Sequence, residues 1–406
     1  MRDFFYAINI RINLYILKKI YYLCEKEDNM RFRTVVRLGV ILSVILFCIG
    51  VGLYSFASLT EVEKGKNLDL YTLVPDNCSG VLETDNIDFY TSELPRMAYA
   101  GDLDTLRHAG LLNTILNELI QFTSINSHGL GNQMNQIMLS FHNPNSSRDI
   151  VAYFRIGKAG KNFLLNIFIN KYGEKYEKKE EKYRGENIEI FPVNNKDFLS
   201  VFSGEGFVAV SYQKRLIEEV IDTYKDKTSL RNDPVFSTIH LKKSANYMSL
   251  YGRTASFPFL SGGHTHCWSE FDIHLNSDVL YLSGSMHEPD SCMHDVVSRL
   301  NNIKTLREDS LLVVSGREKV DSCISEILAS PRTKIFDECI SNLSREASYI
   351  MVVDMDKVAD NPQRFREYLP SFIVDHTDFF RPFIVSVQVS EINGKLSHIY
   401  VFTYKE

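Results

Sequence analysis

The chain has 406 residues, with 45 Lys and Arg against 51 Asp and Glu, 44% hydrophobic and 12% aromatic side chains. That balance excludes disordered, collagenous and low-complexity chains, and the length allows two or three domains. The net charge of −6 gives no electrostatic footprint for nucleic acid.

Leu38 to Ala57 carries no charged residue, and twenty residues at ~1.5 Å each span a ~30 Å hydrocarbon layer. Arg31, Arg33 and Arg37 precede this run and Glu61 and Glu63 follow it. The positive-inside rule therefore predicts a transmembrane helix with residues 1–37 in the cytoplasm and everything after Ala57 outside. Ser55-Phe56-Ala57 also offers small residues for signal cleavage, so anchor and cleaved signal both stand as readings. Residues 1–29 are apolar and aromatic but carry Arg11, Lys18 and Lys19, which makes a poor second span. Met30 followed by Arg31-Phe32-Arg33 has the character of a true targeting start, so translation is expected to begin there.

Residues 1–37 hold eight basic and four acidic side chains. The remainder keeps 37 basic and 47 acidic ones, a net of −10, so no nucleic-acid partner is expected outside the membrane. Of the five cysteines after Ala57 (Cys78, Cys267, Cys292, Cys323, Cys339) none forms a C-x-x-C pair. One or two disulfides or buried free thiols are both compatible with that count.

Beyond a polar stalk at 58–69, Leu70 to Asp85 reads as an extended segment broken by the turn Pro75-Asp76-Asn77. Leu111, Leu112, Ile115, Leu116 and Leu119 recur at helical spacing. Gln136 to Phe141 and Ile150 to Ile156 form a hairpin, Lys161 to Asn170 a helix, and the Lys/Glu run Glu174 to Glu186 a solvated ribbon or loop tip. Phe198 to Phe202 pairs with Phe207 to Ser211, a helix follows over Lys214 to Tyr224, and Tyr247 to Tyr251 is a strand. Phe271, Ile273 and Leu275 alternate, as do Leu280 and Leu282 after the turn at Ser277-Asp278. A two-residue loop there makes paired residue numbers sum to 555 and sets Trp268 opposite His287. Further on come a helix at Lys319 to Leu328, a strand at Tyr349 to Asp354 and a short helix near Gln363 to Tyr368. The terminal hairpin Phe383 to Ile392 with Lys395 to Tyr404 turns at Asn393-Gly394.

Hairpins separated by helices predict an α+β fold: antiparallel sheets packed against helices, in two lobes at 70–242 and 243–406, preceded by one transmembrane helix. Phe207 to Ser211, Leu216 to Tyr224, Asp233-Pro234-Val235-Phe236, Tyr247 to Tyr251, Trp268 to Asp272 and Leu280 to Gly284 together resemble an uncharacterised domain-of-unknown-function family of bacterial envelope proteins. The resemblance implies one N-terminal membrane anchor, an exported α+β domain in the periplasm, and no assigned catalytic residue.

The cluster most suggestive of chemistry is His264-Thr265-His266-Cys267, with His274, His287 and Cys292-Met293-His294 following. On a strand, His264 and His266 share a face, and the register brings His287 to that face, with Glu270 nearby. Three imidazoles and a carboxylate are a credible zinc set, whereas Cys267 points the other way. The simpler account is a solvated strand face, where polar residues belong. Gly129-Leu130-Gly131 and Ser261-Gly262-Gly263 lack the Lys and helix of a phosphate loop. Asp375-His376 has no assignable nucleophile, and Phe379 and Phe380 are expected in the core. The sequence thus predicts a non-enzymatic, inner-membrane-anchored envelope protein whose ectodomain binds a protein or envelope component, with no cofactor. The alternative is a metal-dependent envelope hydrolase using His264, His266 and His287.

Overall fold

The computed structural model describes residues 18, 68–85, 93–105, 134–143, 146, 148–156, 161, 164–165, 178–192, 197–239, 248–253, 267–288, 290–329, 334–392 and 395–405. Among the described residues fifteen strands form one continuous sheet. The first seven are β1 (Gly80–Thr84), β2 (Met134–Phe141), β3 (Ile150–Ile156), β4 (Lys179–Tyr183), β5 (Glu186–Pro192), β6 (Phe198–Gly204) and β7 (Phe207–Ser211). The other eight are β8 (Met248–Gly252), β9 (Trp268–Leu275), β10 (Val279–His287), β11 (Leu306–Glu308), β12 (Leu311–Ser315), β13 (Tyr349–Asp354), β14 (Phe383–Ile392) and β15 (Lys395–Tyr404). Their order across the sheet is 11-12-13-14-15-10-9-8-1-2-3-7-6-5-4, and each neighbouring pair is antiparallel.

This corrects the expected architecture. There are not two lobes, because β1 pairs with β8 through Leu82 opposite Leu250 and joins the halves, and Lys64–Glu406 is one compact unit. Among the described residues helices are few beside so large a sheet. Among the described residues no helix is long and apolar enough to cross a membrane. The run 38–57, the expected helix at Leu111 to Leu119 and most of that at Lys161 to Asn170 lie outside the described residues, although Lys161, Leu164 and Leu165 are helical.

Core strands are apolar at consecutive positions because both sheet faces are covered. Phe207, Val208, Ala209 and Val210 are all at most 1% exposed. On the face called front here, α1 (Lys214–Asp226) lays Leu216, Ile217, Val220 and Ile221 on Val151, Tyr153, Phe202 and Ala209. Each such burial stabilises by ~1.5–3 kcal/mol. Farther along the front, α3 (Arg317–Ala329) and α4 (Ile335–Ser341) cover Leu312, Val314, Ile350 and Val352. On the back, α2 (Asp290–Asn301) puts Val296 and Leu300 among Val385, Val387 and Tyr400. Leu164 joins Ile137, Ala152 and Phe154 in the other back cluster. The Lys/Glu run becomes β4, an exposed edge strand whose charges discourage pairing with other chains.

The two halves repeat one plan. Each begins with three consecutively paired strands, 1-2-3 and 8-9-10, whose third strand accepts the last strand of a later meander, β7 or β15. Paired numbers sum to 291 in β2–β3 and 555 in β9–β10, so the hairpins coincide at a shift of 132, half the difference. They sum to 411 in β6–β7 and 787 in β14–β15, a shift of 188. At the first shift Leu164 falls on Val296, and both are 0% exposed.

Candidate functional site

Between the two front cores the sheet carries a polar strip. Taken one residue per strand from β1 to β14, opposed positions are Glu83, Ser249, Asp272, Ser283, Ile399 and Gln388. The neighbouring row places Tyr251 opposite Glu270, and Ser397 opposite both Ser285 and Ser390. With strands ~4.8 Å apart, the floor from β1 to β14 is ~24 Å wide. Ser249 and Tyr251 are buried, whereas Glu83, Glu270, Asp272, Ser283, Ser285 and Ser397 are half-buried.

Each carboxylate is held by a named neighbour. Gln136 Nε2 donates to Glu83 Oε2 at 2.8 Å and the Tyr251 hydroxyl to Glu83 Oε1 at 3.4 Å. Ser249 Oγ donates to Asp272 Oδ1 at 3.2 Å. His287 Nε2 lies 3.4 Å from Glu270 Oε2, and His274 packs edge-on against Tyr281 at 5.7 Å. Arg155 stands at the margin, donating to the Leu68 carbonyl at 3.2 Å. Burial lowers its guanidinium, against Asp85 and Glu83, which raise it.

Glu270 is fixed from behind. The β9–β10 ladder keeps its register of 555 but is interrupted between Asp272 and Ser269. There His398, on the back of β15, donates from Nε2 to the Glu270 carbonyl at 2.9 Å. Burial pushes the His398 imidazole down to about 4, which keeps it neutral, so the face with the carboxylate is braced by a ring on the other face.

His287 opposes Trp268 at the expected register, and Glu270 is beside it. His264 and His266 lie outside the described residues, so the expected trio is not described in full. Among the described residues no group of three or more His, Cys, Asp and Glu side chains is arranged to hold a metal ion. Cys78, Cys267 and Cys339 are buried free thiols and Cys323 is a partly exposed one.

Glu83, Gln136, Ser249 and Tyr251 carry no local motif and went unnoticed in the sequence. The β1–β2, β1–β8 and β8–β9 pairings bring them to the strip. A second missed arrangement is Ser140 Oγ, 2.8 Å from His142 Nε2, which has the atoms of a nucleophile and base. Ser140 is 0% exposed and also donates to the Tyr153 hydroxyl at 3.2 Å, so no substrate reaches it and it satisfies buried polar groups instead. His376, 5% exposed, donates to the Phe372 carbonyl at 2.8 Å, and Phe379 and Phe380 are core residues. A cleft of about 210 Å³ between β11, α3 and α4 is below the usual ligand-pocket range of ~300–1,000 Å³.

Residues 135–255 match a family model described as Protein of unknown function (DUF3352). Neither a curated protein nor a solved structure matches the chain. The match runs from β2 past β8 and supplies Gln136, Ser249 and Tyr251, leaving Glu83, Glu270 and Asp272 outside it; the chain thus carries a DUF3352 domain over residues 135–255.

Proposed function

We propose that this is a non-enzymatic binding protein of the bacterial cell envelope. Residues 38–57 tether it to the inner membrane, its N-terminus is cytoplasmic, and the sheet stands in the periplasm, holding a protein or envelope component on the front strip. The uncharged run with arginines on one side supports the tether. The strip carries the binding reading: a row of half-buried hydroxyls and carboxylates crosses the sheet between two front clusters that are apolar and covered by helices. Ser140, the buried serine with a base beside it, offers no access for chemistry.

The test is in-cell photo-cross-linking from position 285 in the tagged full chain, with position 180 on β4 as control. A product specific to position 285, lost in Ser285→Arg, supports binding at the strip. Equal products from both positions, or none, reject it.

A second reading follows from the Glu270–His287 contact of 3.4 Å. Zinc on His264, His266 and His287 would make the strip a hydrolase site, with the metal activating water. Stoichiometric zinc in the purified full chain, absent from His287→Ala, would favour this reading over simple binding.

A further inference from the structure

We propose that the occupant of the strip is a neutral amino-sugar polysaccharide of the envelope, laid flat across β9, β10, β15 and β14. This rests on the binding reading above and names the chemical class of the envelope component.

The internal repeat marks the place. Paired numbers sum to 362 in β3–β7 and 682 in β10–β15, and their difference of 320 is the total of the two shifts. One correspondence therefore carries the sheet front from β3 to β6 onto that from β10 to β14. Val151, Tyr153, Phe202 and Ala209, each at most 1% exposed, form the seat of α1. Their counterparts are Ser283, Ser285, Ser390 and Ser397, all half-buried. An apolar helix stripe laid on this second seat would take water from four hydroxyls and offer them no partner. The second seat therefore takes a polar occupant.

The surrounding face narrows the choice. Three rows cross β10, β15 and β14: Ser285, Ser397 and Ser390; Ser283, Ile399 and Gln388; Tyr281, Val401 and Ser386. Asp272 extends the second row onto β9 and His274 the third. Hydroxyls thus stand beside half-buried Ile399 and Val401, and the Tyr281 ring, edge-on to His274 at 5.7 Å, adds a flat apolar face. Serine hydroxyls both donate and accept, as sugar hydroxyls do. An acetamido group brings an N–H to Asp272, a carbonyl to the serines and a methyl to Ile399, and a pyranose sets its C–H groups against an aromatic ring. The floor measures ~14 Å across the strands and ~14 Å along them, which a single sugar ring does not span.

Charge excludes the other polar occupants. The carboxylates of the strip are already partnered: Gln136 and Tyr251 donate to Glu83, Ser249 donates to Asp272, and His287 lies beside Glu270. They call for no cationic chain. Their charge, with the net acidity of residues 58–406, repels anionic lipid and nucleic acid. A neutral sugar chain meets neither obstacle.

The experiment is fluorescence anisotropy of a labelled N-acetylglucosamine hexamer with the full chain. Ser283→Ala/Ser285→Ala is compared with the control pair Glu180→Gln/Glu181→Gln on the exposed edge strand β4, melting temperatures being checked for each. The expected result is salt-insensitive binding weakened about tenfold by the serine pair, or ~1.4 kcal/mol, and changed less than twofold by the control pair. Ser285→Arg, which fills the strip from a half-buried position, gives the same loss if the alanine pair fails to fold. Absence of hexamer binding, equal loss from both pairs, or tighter binding of a hexalysine or hexaglycine peptide overturns the proposal. Cross-linking from position 285 without hexamer binding removes the sugar occupant and leaves the binding reading; failure of both removes both.

Discussion

His398 and Phe271 stand on strands separated by β10, yet their rings lie 4.4 Å apart, centroid to centroid. The residue between them is Gly284, opposite His398, and a Cβ there would collide with the Glu270 carbonyl oxygen. Glycine is therefore required by close backbone approach, and the aromatic and imidazole rings close over the gap. Gly284→Ala is expected to destabilise by ~3 kcal/mol or more, since backbone must move. Chemical denaturation of the variant checks this; a loss below ~0.5 kcal/mol would show that β9 yields without strain.

His398 also sets an acid limit, together with His142. Burial holds His398 at about 4, below its ordinary 6.5, and burial and Arg215 hold His142 at about 4 as well. Folded-state values below the unfolded ones mean that stability is fully present above pH ~6.5 and drains away as pH falls through 4. For His398 the full effect is on the order of 3 kcal/mol. Midpoints of urea unfolding between pH 7 and 4 should fall, and fall less in His398→Gln. A flat profile in the native protein contradicts buried neutral imidazoles.

Thiol reactivity follows burial. Desolvation pushes Cys78 up to about 12 and raises Cys267, Cys339 and Cys323, so few thiolates form at pH 8 on any of them and access decides the order. Iodoacetamide with peptide mapping should modify Cys323, the partly exposed thiol, well before the other three. Labelling of Cys267 at the Cys323 rate would mean that the start of β9 opens readily.

Sheet continuity predicts cooperativity. Because β1 and β8 pair along Gly80 to Thr84, calorimetry of the full chain should give one main transition for residues 64–406. Two transitions would restore independent halves.

Local pairings were legible in the sequence because hairpins encode their own register. The sum of 555, His287 opposite Trp268, and Phe383–Ile392 against Lys395–Tyr404 all follow from alternation and turn residues. Pairings closed across long chain segments leave no such mark. β1 with β8, β3 with β7 and β10 with β15 were invisible, and with them the single sheet. Strand β11, three residues long, is too short to show a period; β4 was absorbed into the Lys/Glu run, and β5, which starts where that run ends, was read as no element. The strip was half legible: Glu270 and His287 lie on one hairpin, while Glu83 and Tyr251 arrive from elsewhere in the chain.

The most direct measurement of the central claim is the modification rate of a Ser285→Cys variant by a membrane-impermeant thiol reagent. Rates are compared in native envelope membranes and in the purified full chain. The account predicts rapid labelling when purified, because Ser285 is half-buried on an accessible strip, and at least tenfold slower labelling in native membranes, where a partner covers it. Equal rates in both settings would contradict a bound strip.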